Sequence, residues 1–154
     1  MVKCLVDKER RDLHARIHSA GHIIDAAVLS LDIGWIPGKG YHFPEGPYDE
    51  YSGSLEWLDK EKLKTDIKNF CNKFIQEGLP TKLLFIDKEK MKEICPRYTI
   101  PIPDGKPGRV VMHGNFSIPC GGTPVSNSAE IKNITIRKIK NESKNIRVSY
   151  DVSR

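Results

Sequence analysis

Long apolar runs are missing from this 154-residue sequence, and none approaches the length needed to span a bilayer. The opening segment, Met1-Val2-Lys3-Cys4-Leu5-Val6-Asp7-Lys8, has no apolar core of signal-peptide length, which predicts a cytoplasmic protein. Cysteine is scarce as well. Cys4, Cys71, Cys95 and Cys120 are widely scattered and make no disulfide framework, so in a reducing compartment they read as free thiols or ligands. Internal repeats, low-complexity tracts and composition breaks are also absent. The chain therefore reads as one domain over 1–154, long enough to bury roughly two thirds of its unfolded surface. Hydrophobic residues at 38% and charged residues at 29% describe a folded chain rather than a disordered or membrane-embedded one. A formal charge of +5 leans toward an anionic partner, yet many enzymes are equally basic.

What is present begins with periodicity. Leu13, Ile17, Ala20, Ile24, Ala27, Val28 and Leu31 recur at steps of three and four, predicting a long amphipathic helix over 8–31. His14, His18, His22 and Asp25 run along a neighbouring face, where solvent ordinarily favours Lys and Glu. From Ile33 to Gly53 the glycines and prolines predict an irregular loop rich in aromatics, with Leu55 to Leu58 finishing a strand. A second helix is expected over 60–77, stopped by Gly78, with Leu63, Ile67, Phe70, Cys71, Phe74 and Ile75 inward. Short strands follow at 83–86 and 109–112, separated by a helix capped at Asp87 and a connection through Pro96, Pro101, Pro103 and Pro107. The ending is the cleanest strand signal. Ile134, Ile136 and Lys138 alternate with polar residues, 141–144 turns the chain, and Ile146, Val148 and Tyr150 alternate again. With no βαβ rhythm the expected class is α+β, a mixed or antiparallel sheet packed with a long N-terminal helix and a second helix.

The chemistry lies in two places. His18 and His22 are four apart, which sets both imidazoles on one helical face, one turn apart. Cys120 stands in Pro119-Cys120-Gly121-Gly122-Thr123, where glycines let a thiolate approach closely. Each motif alone is common, but together they offer three ligands of the kind zinc accepts, the number found in catalytic rather than structural zinc sites. The bland alternatives are a solvated histidine face and an ordinary glycine turn.

Arg16-Ile17-His18-Ser19-Ala20-Gly21-His22-Ile23-Ile24 resembles the His-x-x-x-His helix of the editing domain of alanyl-tRNA synthetase and of its free-standing relatives, the AlaX proteins. Pro119-Cys120-Gly121-Gly122-Thr123-Pro124-Val125, followed by Ser128-Ala129-Glu130-Ile131, resembles that family's second motif. Gly40 to Tyr48 is similar to a loop of short AlaX members, and the terminal hairpin is similar to the family's ending. The Cys-Gly-Gly-Thr form favours the alanine type over the threonyl relative. Nothing resembles an aminoacylation domain.

The resemblance implies hydrolysis, in trans, of the ester joining a wrong amino acid, serine and sometimes glycine, to the tRNA for alanine. A synthetase pocket rejects near-isosteres poorly, so a second site must remove the product. The family's four zinc ligands fall at His18, His22, Cys120 and position 124, which is proline and has no ligand atom. Three explanations stay open: a three-ligand zinc with one open position, a donor from elsewhere (His42, His113 or less readily Asp25), or loss of the metal. His14 lies two turns from His22, about 12 Å along the axis, too far to share its ion. The resemblance also marks Thr123 and His42 as catalytic candidates and Gly121, Gly122 and Thr123 as substrate-binding ones. Lys138, Lys140, Lys144 and Arg147 make a candidate patch for the tRNA acceptor end, with Lys132 and Arg137 beside them. Arg109 reads as an ordinary strand residue. The competing functions are a tRNA-binding module that has lost catalysis, and a zinc hydrolase of a small ester or amide.

Overall fold

The computed structural model describes residues 2–98 and 105–153. Helix α1 (Lys8–Ser30) starts at Asp7, whose carboxylate accepts from Arg10 N at 3.0 Å, the side-chain cap that a first turn of orphan N–H groups needs. Strands β1 (Ile36–Tyr41) and β2 (Tyr48–Ser52) follow, then α2 (Lys60–Glu77), capped by Asp59. Next come β3 (Thr81–Ile86), α3 (Lys88–Ile94), capped by Asp87, then β4 (Gly108–His113) and β5 (Phe116–Pro119). A 3₁₀ turn (Ser128–Ile131) leads into the hairpin β6 (Ile134–Glu142) and β7 (Asn145–Val152). The α+β expectation holds among the described residues, but as two antiparallel sheets rather than one. Four strands run in the order β1-β2-β7-β6, and three in the order β3-β4-β5.

Several expectations are corrected. The aromatic stretch after Ile33 is a hairpin, β1 on β2, bulged between Pro37 and Gly40, because extended pairing tolerates glycine and proline at an edge strand. Leu55 to Leu58 is a turn, not the end of a strand; Leu55 still buries itself in the core. Strand β5 was hidden, since four residues cut by Pro119 are too few to show alternation. In β6 a bulge between Ile136 and Lys138 shifts the phase, so Ile139 turns inward and Lys138 faces solvent. Pro101 and Pro103 lie outside the described residues.

The larger core lies between α1, α2 and the four-stranded sheet, where Ile23, Ile24, Ile67, Ile134, Ile146, Trp35, Tyr51 and Tyr150 are fully buried. Burial of each such side chain is worth about 1.5–3 kcal/mol. A smaller core joins α3 to β4 through Met91, Cys95 and Val110. Helix α1 is buried without a break from Ser19 to Val28, so its histidine face is covered rather than solvated. What covers it is the start of β2, the end of β4 and the loop after β5.

Candidate metal centre

Strand pairing brings Cys120 to the helix. Strand β5 ends at Pro119, and Cys120 stays tied to β4 by its N–H to Arg109 O (3.0 Å) and its carbonyl to Arg109 Nη1 (2.5 Å). Five residues on, Val125 N donates to Ser19 Oγ at 2.9 Å, which pins the loop to α1 beside His18. The Cys120 Sγ lies 2.8 Å from His18 Nε2 and accepts from Gly122 N at 3.2 Å. Gly122 is required there: a Cβ would stand 2.6 Å from His18 Cε1. One donor atom each from His18, His22 and Cys120 falls within 4.8 Å of the other two, the only such metal-capable group among the described residues. The donor chemistry, two imidazoles and a thiol, is that of a zinc site. Position 124 does not join it, since Pro124 lines a separate depression with Leu13, Arg16 and Val125.

Two further histidines complete the cluster. His113, wholly buried at the end of β4, places Nε2 3.3 Å from His22 Nδ1 and Nδ1 3.0 Å from Thr81 Oγ1. It is thus a neighbour of His22 and not a member of the three-donor group. If His22 Nδ1–H donates to His113, the His22 Nε2 lone pair is left to face the other donors, the arrangement that outer-shell partners impose on metal-binding histidines. His42 packs its ring 5.1 Å from that of His18. The Tyr150 hydroxyl donates to Ile17 O at 2.9 Å and so accepts from His42 Nδ1–H at 2.8 Å. That accounting leaves His42 Nε2 with a lone pair, 3.7 Å from Asp49 Oδ1.

Burial lowers the proton affinity of all four imidazoles, helped at His18 by the Arg109 charge and at the others by neighbouring histidines. His42 and His113 fall to about 4, and neutral imidazole is the form a metal ligand or a general base needs. Burial pushes the Cys120 thiol up, opposed by the Gly122 N–H and by Arg109. Acids lie behind the histidines. Asp25 accepts from Tyr51 Oη at 2.6 Å and Tyr98 Oη at 3.2 Å; burial still raises it to about 6. Buried Asp49 is raised well above the usual carboxylate range by burial and then by Asp25.

These shifts carry a stability consequence for the metal-free protein. A base with lowered proton affinity contributes stability that is complete above its unfolded value of 6.5 and is lost as pH falls toward about 4. Asp25 and Asp49 act with the opposite sign, regaining stability as pH falls through about 6 for Asp25. The two kinds of group oppose each other over the same pH window, so removing one of them is the clean test. Relative to wild type, the urea midpoint of Asp25→Asn should fall as pH drops from about 6 to about 4, and an identical pH dependence in the two proteins would contradict the raised Asp25.

The structure brings His18, His22, Cys120, His42 and Gly121 around one cavity of about 240 Å³ and places Thr123 with His18 and His42 in an adjoining one. The hairpin cations stand apart. Arg147 pairs with Glu50 at 2.9 Å and covers the Tyr48 ring at 3.9 Å, Lys140 pairs with Glu142, and Lys138 and Lys144 are exposed. Sequence reasoning missed Arg109 and Asp49. Arg109 was detectable only through its pairing across from Pro119 and Cys120, and Asp49 only through the β1–β2 hairpin.

The comparisons bear on this geometry. The family described as the threonyl and alanyl tRNA synthetase second additional domain matches residues 109–148, which include Cys120 and its loop. The alanyl-tRNA editing protein AlaX-M of Methanosarcina acetivorans is 30% identical over 97% of this chain. The chain is similar to alanyl-tRNA editing proteins over most of its length. AlaX-M of Methanosarcina barkeri is 31% identical, again over 97% of the chain. The alanine–tRNA ligase of Methanococcus maripaludis is 30% identical over 90% of the chain, which covers 16% of the ligase. The chain spans about three fifths of the length of the AlaX-M relatives (61% and 62%). No described helix is long and apolar enough to cross a membrane.

Proposed function

We propose that this editing domain hydrolyses the ester of mischarged tRNA for alanine, carrying serine or glycine, with one zinc ion held by His18, His22 and Cys120. The observation that carries the reading is the convergence of those three donors within 4.8 Å, beside a cavity, in a chain similar to alanyl-tRNA editing proteins. When bound, zinc supplies Lewis acidity toward the ester. The lone pair of His42 Nε2 receives the proton of the attacking water, with the ring oriented by Tyr150. Thr123 supplies a hydroxyl at the neighbouring mouth, and Gly121 and Gly122 let the ester approach the loop without steric hindrance. Lys138, Lys140, Lys144 and Arg147 hold the acceptor stem through its phosphates. Residues 1–154 act as one editing domain, in the cytoplasm.

His113 is a positioning residue, acting through His22. His113→Leu should weaken zinc binding by about 10–100-fold, as loss of an outer-shell partner does, and His113→Gln should restore most of it. Competition with a chromophoric chelator reads this directly. Equal affinity in all three proteins would remove His113 from the site.

Pro124 favours the alternative, a tRNA-binding module that has lost catalysis. Elemental zinc analysis of the purified protein, paired with deacylation of seryl-tRNA for alanine, separates the two. About one zinc per chain with ester cleavage supports the hydrolase. Zinc-free protein that binds the tRNA and leaves the ester intact supports the module.

A further inference from the structure

Two sheets give the described residues four edge strands, and three of them are blunted against further pairing. Strand β1 carries Pro37, Gly38 and Gly40 with a bulge, and β5 is four residues long and closes on Pro119. Strand β6 is bulged and bears Lys138 and Lys140. Short length, proline, bulges and lysines are the usual protections of an exposed edge. Strand β3 has only Lys82. Its sequence, Thr81-Lys82-Leu83-Leu84-Phe85-Ile86, holds no proline or glycine, and it pairs with β4 without a bulge from Thr81 to Ile86. Its start alone is covered, by Ser126 and Asn127.

Hydrogen-bond alternation decides which groups that edge presents. Thr81 N donates to Ser126 O at 2.9 Å, away from β4, and residues two apart on a strand turn their backbone the same way. Arg109, the β4 partner of Phe85, agrees: its carbonyl accepts from Cys120 N, on the side away from β3. Leu83 and Phe85 therefore aim N–H and C=O outward, and no bond among the described residues reaches those groups. Their side chains share one face of the sheet and are 47% and 65% exposed. Four open backbone groups beside two large apolar side chains make a template for strand addition.

We infer that β3 docks against the β3 of a second copy of this chain, antiparallel about a twofold axis, joining the two three-stranded sheets into one of six. The occupant follows from self-complementarity. A twofold axis normal to the sheet passes between two copies of one residue. With Leu84 at that point, Leu83 of each copy lies opposite Phe85 of the other. Both pairs then exchange two backbone bonds, and all four outward groups of each copy are satisfied. The exposed Leu83 and Phe85 side chains of both copies meet on one face of the junction. Charge agrees with this register. Lys82, the only ionised residue of the strand, comes opposite Ile86 and beside Asp87 of the other copy, and the two lysines stand at opposite ends of the ladder. One strand pair covers less than the roughly 1,200–2,000 Å² of a stable complex, so the dimer belongs to the weak, micromolar class. None of the three metal donors lies in the junction, and the inference stands apart from the hydrolase reading.

Sedimentation equilibrium of the full chain over a concentration series reads the association. Wild type should pass from monomer to dimer, and amide hydrogen exchange at Leu83 and Phe85 should slow as the dimer forms. The Lys82 and Leu84 amides, turned toward β4, should change little. Leu83→Lys combined with Phe85→Lys sets like charges across both pairs and should raise the dimer dissociation constant at least about tenfold. Leu83→Lys combined with Phe85→Glu removes the same apolar groups but sets opposite charges across each pair, and should recover most of the affinity. Both positions are exposed, so the melting temperatures of dilute monomer should stay close to wild type. A monomer at every concentration, as expected of an edge kept for a different protein, would overturn the inference. Equal weakening in the two double variants would also overturn it, because the strands would then touch without register. A dimer with unchanged exchange at Leu83 and Phe85 would place the junction elsewhere and overturn it too.

Discussion

Cys120→Ala is expected to lower bound zinc from about one ion per chain to nearly none, and to reduce seryl-tRNA deacylation by at least about a hundredfold. The magnitude follows from the donor count. Only three donors converge, so removing one leaves two imidazoles on a single helical turn, too few to hold zinc. The neighbours lie outside the three-donor group: Pro124 faces another depression, His113 is spent on His22 and Thr81, and His42 is turned to Tyr150 through Nδ1. The fold should survive, because Cys120 is only half buried and its loop is anchored by backbone bonds to Arg109 and by Ser19 to Val125. Elemental analysis and a deacylation time course on the same preparation check both halves. Activity that persists without zinc would transfer the chemistry to the protein's own acids and bases; zinc that persists without the thiol would show that another donor completes the set.

Gly21→Ala should leave zinc bound and still cut kcat by about 10²–10⁴-fold, the range that general-base catalysis contributes. Gly21 lies on α1 between His18 and His22, and His42 is laid directly against it. A Cβ there would stand 2.4 Å from His42 Cε1, 2.8 Å from Nδ1 and 3.2 Å from Tyr150 Oη. Helix propensity favours alanine by about 1 kcal/mol, so the variant should fold. The clash falls instead on a ring that must leave its hydrogen bond to Tyr150. Steady-state kinetics with zinc stoichiometry read the two effects separately. A fall in zinc content together with kcat would mean that the helix, rather than His42, had moved. Unchanged kcat would take His42 out of the reaction.

The convergence of the three candidate donors was legible because the helical period alone places His18 and His22 together, and because the glycines beside Cys120 mark a loop that allows close approach. Position 124 was equally legible as a departure, since proline has no donor whatever the fold. The surroundings were not. His42 reaches His18 only because β1 and β2 pair across a bulge, and those strands were read as an irregular loop because glycine and proline interrupt their alternation. His113 was weighed as a replacement ligand, and the register of β3 on β4 instead sets it against Thr81 and His22. Arg109 looked ordinary until the short strand β5, whose alternation is too brief to see, returned Cys120 to its side.

Local sequence by itself determined the helices, their aspartate caps, the terminal hairpin and the pairing of His18 with His22 on one helical face, because each depends on spacing within one turn or one pleat. Only the tertiary structure decided which groups surround the three candidate donors: His42, His113 and the Asp25–Asp49 pair on one side, Phe43 and Arg11 on the other. Those neighbours come from segments far apart in the chain, and strand register, which no local pattern encodes, sets the distances between them.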